Sequence, residues 1–212
     1  MNRIIESLLD TDWYKFTVQR IFFYRFSDVV GEYAFVCRSP GVRFTEEMVT
    51  EINRQINELC KLRFHKDEID FIKSVPYMQD AVGYLEFLKL FQLNRDFITV
   101  SRDAPCGLLI RAKGPLWAVS MFEIYVLAIV NEVYFKGCSD NYIKICRSAT
   151  SRFHEKLNNF YYDPFSILEF GTRRRLSHKK QEMIIAEFVA LKSKHFIGTS
   201  NVYFSKAYGL KP

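Results

Sequence analysis

The sequence lacks the features that most quickly assign a function. Its five cysteines, Cys37, Cys60, Cys106, Cys138 and Cys146, form no C-x-x-C pair, and the closest two stand eight positions apart. An odd set at that spacing argues against a disulfide framework and against a zinc knuckle, and reads as reduced thiols of a cytoplasmic protein. The four histidines, His65, His154, His178 and His195, are scattered and build no H-E-x-x-H metal motif. Met1 to Asp12 carries Arg3, Glu6, Asp10 and Asp12. Without an uninterrupted apolar core, no secretory signal is expected there. The most apolar stretch, Pro115 to Phe135, is interrupted by Glu123, Asn131 and Glu132. Such polar residues fit a helix buried inside a protein core better than a membrane span. There is no internal repeat and no low-complexity segment.

What is present is aromatic and mildly basic. The 212 residues include 20 Phe and 12 Tyr, and the formal net charge is +6. The length suits one large domain or two small ones. The aromatics promise a bulky core or flat ligand surfaces. A basic balance suits nucleic acid, a membrane surface or an anionic small molecule. The densest basic cluster, Arg173-Arg174-Arg175 followed by His178, Lys179 and Lys180, is local. Elsewhere Lys and Arg alternate with Asp and Glu. A single cluster favours a phosphate-bearing ligand over a long polyanion.

Turn and cap signals divide the chain. Asp10-Thr11-Asp12 offers helix-start oxygens before the aromatic run Trp13 to Phe26. Gly31 to Ser39, with Tyr33, Phe35 and Cys37 on one parity, reads as a strand. Thr45 opens an amphipathic helix with Met48, Ile52, Ile56 and Leu59 on one face. Shorter helices are expected at Asp67 to Lys73 and Gly83 to Gln92. Strands at Phe97 to Arg102 and Leu108 to Lys113 flank a turn and read as a hairpin. Gly114-Pro115 is expected to begin the buried helix, with Pro at its tolerated first position. Gly137 and Asp140 break the chain before a helix from about Asn141 to Asn159.

From there the pattern becomes strand, loop, helix, strand, loop, helix. Phe165 to Phe170 is a short strand and Gly171 to Leu176 a basic loop. Ser177 caps a helix from His178 to Lys194, His195 to Gly198 is a strand, and a last helix ends near Gly209. This alternation is that of a parallel α/β sheet or barrel, in which ligands bind beyond the C-terminal strand ends.

Two loops occupy that place. In the first, Glu169-Phe170-Gly171-Thr172-Arg173-Arg174-Arg175, glycine permits close backbone approach, arginine forks grip phosphate or carboxylate, and Phe170 offers a flat face. The helix N-terminus after Ser177 adds amide donors. The second loop, Gly198-Thr199-Ser200-Asn201, carries hydroxyl and amide groups without charge, and a helix cap at Ser200 would by itself account for it. A third candidate is Asp12-Trp13-Tyr14-Lys15, where Tyr14 could stack on a ring; spacing alone favours an ordinary aromatic helix start. The same arginines and aromatics also suit a basic nucleic-acid-binding module, although no nucleic-acid motif is present.

Taken together, Asp10-Thr11-Asp12-Trp13-Tyr14-Lys15, the E-F-G-T-R-R-R run at 169–175 and Gly198-Thr199-Ser200-Asn201 resemble the nicotinate phosphoribosyltransferases, over the whole chain. The stretch from Gly114-Pro115 to Phe135, with Asn131-Glu132 near its end, is similar to that family too. Trp13 and Val18 depart from its commoner Leu and Met while remaining apolar. The resemblance implies an α/β fold: a mixed α+β N-terminal domain, taken as residues 1–136, then a linker helix and the first two β-α units of an irregular type II phosphoribosyltransferase barrel, residues 137–212. It implies that nicotinate is joined to phosphoribosyl pyrophosphate in NAD salvage, with ATP and Mg²⁺ assisting through a phosphorylated histidine, in a cytoplasmic homodimer with a shared active site.

By position, the resemblance implies that Tyr14, reaching across from a partner subunit, and Phe170 sandwich the pyridine ring. It implies that Gly171, Thr172, Arg173, Thr199 and Ser200 contact substrate, with support from Asp12, Arg174, Arg175 and Asn201. Related nicotinamide enzymes carry Asp where Ser200 stands; a neutral Ser does not repel a carboxylate, so nicotinate is favoured. No metal ligand is expected in this chain. The family's phosphohistidine motif, of G-T-x-A-H-E type, is expected just beyond Pro212, and the role is not transferred to His178 or His195, both read as lying at the end opposite the pocket. The 212-residue piece is accordingly expected to be an inactive fragment.

Overall fold

In a computed structural model that describes residues 2–102, 104–160, 166–191 and 195–210, the chain forms two sheets of different kind, joined through a shared set of helices. The first is antiparallel. Strand β1 (Val30–Ala34) pairs with β3 (Leu109–Pro115), which pairs with β2 (Ile98–Ser101). Along β1 Gly31 and Tyr33 are half-buried between exposed Val30, Glu32 and Ala34, and the alternation continues through Phe35 and Cys37 beyond the strand. The expected parity is therefore present, although the paired strand stops earlier than Ser39. β2 and β3 form the expected hairpin, and Gly107 in its turn adopts φ +77°, a region that suits glycine.

Helix α1 (Trp13–Arg25) follows Asp12, which occupies the N-cap position but makes no side-chain cap bond. Helix α2 (Glu46–Leu59) begins as its sequence dictates: the Thr45 side chain accepts from Met48 N, and Glu46 and Glu47 sit in the first turn. Its apolar face is fully inside, with Ile52, Ile56 and Leu59 at 1% exposure or less. Each such side chain contributes about 1.5–3 kcal/mol of burial free energy. Helices α3 (Lys66–Ser74) and α4 (Val82–Leu90) complete the cover.

The apolar stretch behaves as a core element with one correction. β3 extends through Gly114 and Pro115, so Pro115 ends a strand and stands at a helix N-cap instead of the first helical position. A short helix α5 (Leu116–Val119) follows, the chain turns at Ser120 and Met121, and α6 (Phe122–Gly137) continues. By length and composition Leu116–Gly137 could cross a membrane, but most of it is buried within the protein. Phe122, Ile124, Tyr125, Ala128 and Ile129 are all essentially inaccessible. Asp140 lies within α7 (Ser139–Phe160) and does not break the chain.

The second sheet is parallel. Strand β4 (Ile167–Glu169) pairs with β5 (Phe196–Thr199), and α8 (His178–Ala190) crosses between them. Between β4 and α8 the basic loop forms a 3₁₀ turn, Thr172–Arg174. The Ser177 side chain caps α8 by accepting from Lys180 N. Helix α9 (Val202–Tyr208) ends at Gly209 with φ +62°. Asp103 of the expected hairpin turn, Phe165 at the start of the expected strand, residues 192–194 of the expected helix and Pro212 lie outside the described residues.

Candidate active site

The three segments singled out in the sequence converge because the first one pairs, as backbone, with the third. Trp13 N donates to Ser200 O at 2.8 Å, Val202 N to Thr11 O at 2.9 Å and Tyr203 N to Leu9 O at 2.9 Å. Ser200 N in turn donates to Glu169 O at 2.8 Å, which continues the β4–β5 ladder into the loop. Residues 9–13 thus lie against the C-terminal end of β5, beside the loop that leaves β4. From the other side α6 contributes Asn131, whose side-chain amide donates to the Arg173 carbonyl.

This framework sets two aromatic rings face to face. The Tyr14 and Phe170 ring centroids are 6.4 Å apart with an interplanar angle of 29°. The Arg173 guanidinium lies 5.4 Å from the centre of the Phe170 ring, a cation–π distance. Phe170 is 48% exposed, unusual for a large apolar side chain beside such a framework. Lys15 Nζ lies 5.3 Å from the Tyr14 ring and is held by Ser120 O at 2.8 Å and Glu123 at 2.5 Å. Burial lowers the Lys15 pKa, against the opposing pull of Glu123. Burial and the nearby Glu123 carboxylate push the Tyr14 phenol well above its ordinary range, so it remains protonated.

Beneath the rings is a buried polar network. Arg175 grips Asp10 through two bonds of 2.7 and 2.8 Å, with both side chains 1% exposed. Arg175 also donates to Gln181 Oε1 at 3.2 Å. Burial alone would raise the Asp10 pKa, but the Arg175 charge and hydrogen bonds outweigh it and hold the carboxyl below its ordinary value. Asn201 donates to Asp10 at 2.8 Å and to Thr172 Oγ1 at 3.0 Å, and its own Oδ1 accepts from Phe204 N, capping α9. Glu169 accepts from Thr199 Oγ1 and Gly171 N, each at 2.6 Å, and from Gln181. Burial nevertheless leaves the Glu169 pKa raised. The Ser200 hydroxyl donates to Asp12 Oδ1 at 2.7 Å, and burial raises the Asp12 pKa despite this bond and the positive charge of Arg173.

Residues 9–131 match the model of the nicotinate phosphoribosyltransferase (NAPRTase) N-terminal domain, and residues 165–212 match that of the nicotinate phosphoribosyltransferase family. The chain belongs to the nicotinate phosphoribosyltransferase family. Curated members from Xanthomonas campestris pv. campestris (strain B100) and Chromobacterium violaceum are each 36% identical to it over 99% of its length. They cover it with 52% and 53% of their own lengths, so the chain spans about half of the curated relatives it matches. The solved nicotinate phosphoribosyltransferase of Porphyromonas gingivalis superposes with a TM-score of 0.84 at 30% identity, covering 98% of this chain and 52% of that one. That of Vibrio cholerae gives 0.82 at 26% identity, with 99% and 50% covered. The mixed α/β fold expected from the family is thereby established.

Tyr14 meets Phe170 inside one chain, where the family resemblance implied a Tyr14 reaching across from a partner subunit. Thr172 and Thr199 are fully buried, and their hydroxyls are engaged in the polar network. A Cβ on Gly171 would meet Glu169 Oε1 at 2.6 Å; the close approach that glycine permits is therefore that of a neighbouring carboxylate. Arg175 is buried, which makes it a structural partner of Asp10, whereas Arg174 is exposed. Ser200 binds Asp12, and Asn201 supplies the cap.

His178 is nearer than expected. Its Nε2 lies 3.9 Å from Asp10 Oδ2, because a helix that follows a strand-end loop starts at that same end. Its ring packs on Tyr203 and Phe204 at 5.2 and 4.8 Å. Glu123 reads in the sequence only as an interruption of an apolar run, and Asn131 and Glu132 as interruptions that also carry part of the family resemblance. The signal that singles them out is physical: a polar group on a buried helix persists when it has a partner. Glu123 finds Lys15, Asn131 finds the Arg173 carbonyl, and Glu132 finds His178 N at 3.1 Å.

Proposed function

We propose that this chain supplies the nicotinate-binding part of a nicotinate phosphoribosyltransferase. The whole protein would join nicotinate to phosphoribosyl pyrophosphate, forming nicotinate mononucleotide and pyrophosphate in NAD salvage. The observation that carries this reading is the Tyr14–Phe170 pair with Arg173 beside it. A flat ring held between two others needs about 3.5 Å on each side. The observed 6.4 Å centroid separation lies within an ångström of that spacing, and the exposed Phe170 can swing to make up the difference.

In the reaction, the pyridine nitrogen attacks the anomeric carbon, forming a C–N bond as the C–O bond to pyrophosphate breaks. Positive charge gathers on the sugar and negative charge on the leaving group. The chemistry therefore needs alignment and charge stabilisation more than covalent catalysis. Tyr14 and Phe170 would hold the ring plane, and Arg173 would meet the substrate's oxygens. The Asp10–Arg175 pair and the Glu169 cluster would fix the loops without touching substrate.

ATP and Mg²⁺ are proposed for the whole protein from the family resemblance alone. Among the described residues no group of three or more His, Cys, Asp or Glu is arranged to hold a metal ion. The nucleic-acid reading gains no support. Burial of Arg175 removes one of its three arginines from any polyanion surface.

Calorimetric titration of the whole protein with nicotinate tests the reading. Binding that Phe170→Ala weakens at least tenfold supports it, and equal binding by wild type and variant refutes it.

A further inference from the structure

Glu123 lies among the groups of the proposed nicotinate clamp, and nothing so far gives it a role toward substrate. Projecting from α6, its carboxylate accepts from Lys15 Nζ at 2.5 Å through Oε2, while Oε1 lies 3.5 Å from Tyr14 Oη and 3.5 Å from Arg173 Nη1. The two cations that share it differ. Lys15 has a side chain only 3% exposed, and its second bond goes to Ser120 O. It is a permanent partner. Arg173 is 36% exposed, and its contact with Glu123 is long for a charged hydrogen bond. Its placement is also secured independently, since Asn131 holds its carbonyl and Phe170 lies under its guanidinium.

An aromatic acid entering between Tyr14 and Phe170 brings a carboxylate that must find a cation as it loses water. Of the two candidates, Arg173 is the one able to change partner without stranding a buried charge. We infer that Glu123 is a resident carboxylate which Arg173 exchanges for the carboxylate of nicotinate, so that Glu123 sets how strongly the site discriminates the acid from its neutral amide. This rests on the nicotinate reading above. Glu123 opposes premature capture of other anions by Arg173, and its charge weakens acid binding by the amount needed to break the Arg173 contact. Asp12, whose charge also reaches Arg173, acts in the same direction but is tied to Ser200.

The test is Glu123→Gln in the whole protein, which retains the volume and an acceptor for Lys15 while removing the charge. Calorimetric titrations use nicotinate and nicotinamide on wild type and variant. The inference expects nicotinate to bind roughly two- to fivefold tighter to the variant, the size of a partly exposed ion pair, with no gain for nicotinamide. Unchanged or weaker nicotinate binding by a variant that melts like wild type overturns it. Equal gains for both ligands overturn it too, because the effect would then not be charge exchange. Failure of wild type to bind nicotinate removes the underlying reading and this inference with it. Should the variant not fold, a crystal structure of wild type with nicotinate decides: Arg173 Nη1 more than 4 Å from Glu123 and facing the ligand carboxylate supports the exchange, and an intact Arg173–Glu123 contact overturns it.

Discussion

The Ser200 hydroxyl donates to Asp12 Oδ1 at 2.7 Å, so the loop after β5 and the residue before α1 are joined by a buried side-chain bond as well as by backbone pairing. Substituting Ser200→Asp would set a second carboxylate against the first in a site closed to water. Like charges so placed cost several kcal/mol. Nicotinate use by the whole protein is expected to fall at least tenfold in kcat/KM, through displaced loops and added negative charge. Ser200→Ala, which leaves the buried Asp12 Oδ1 without this donor at a cost of about 1–3 kcal/mol but adds no like charge, should retain more activity than Ser200→Asp. Steady-state kinetics of the two variants checks this, and equal activity of Ser200→Asp and wild type would count against it.

The raised pKa of Asp12 makes a pH prediction. A carboxyl whose folded pKa exceeds its unfolded value binds more protons in the folded state, so stability falls as pH rises. The fall begins near the ordinary value of 3.8 and ends once pH passes the raised folded value. Asp12→Asn removes this component. Denaturant melts between pH 4 and 8 should show a flatter decline for the variant than for wild type over that window. Asp10 has the opposite sign: its depressed pKa gives stability that is present above the ordinary value and lost as pH falls through the folded one.

Arg175 is a stability residue. Arg175→Ala strands the Asp10 carboxylate, which is 1% exposed, and breaking a buried pair in this way costs about 3–5 kcal/mol. Arg175→Lys recovers only part, since an ammonium cannot reproduce the two parallel bonds of the fork. Urea midpoints in the order wild type, Lys variant, Ala variant are expected. A midpoint for Arg175→Ala equal to wild type would show that the pair does not hold the loops.

Arg173, two positions away, should behave in the reverse manner. Its side chain is 36% exposed, so Arg173→Ala is expected to leave the melting transition nearly unchanged. In the whole protein it should cost roughly 2–4 kcal/mol of transition-state stabilisation, the range for a lost donor at a charged reacting centre. Wild-type kinetics in this variant would remove Arg173 from the site.

Much of the fold was legible locally. Thr45 and Ser177 cap the helices they precede because their hydroxyls lie within reach of free amides a few residues on. The apolar face of α2 and the β2–β3 hairpin follow from periodicity and turn chemistry. The misreadings concern groups with two available partners. Asp12 occupies an N-cap position, yet its carboxylate accepts from Ser200, 188 positions away. Pro115 reads as a helix start, but the backbone before it is claimed by β1 through the Gly31–Gly114 and Val30–Pro115 register.

The three adjacent arginines show most plainly what each level decides. By itself the sequence determined that cations and an aromatic ring stand at a strand end, because side-chain chemistry and the strand-loop-helix pattern are local properties. Which arginine meets solvent and which meets Asp10 was decided by the tertiary structure. That choice depends on residues 9–13 lying along the end of β5, and on where α6 presents Glu123 and Asn131. Long-range pairing sets the burial of a charge, and burial determines whether a guanidinium stabilises the fold or is left able to hold a substrate.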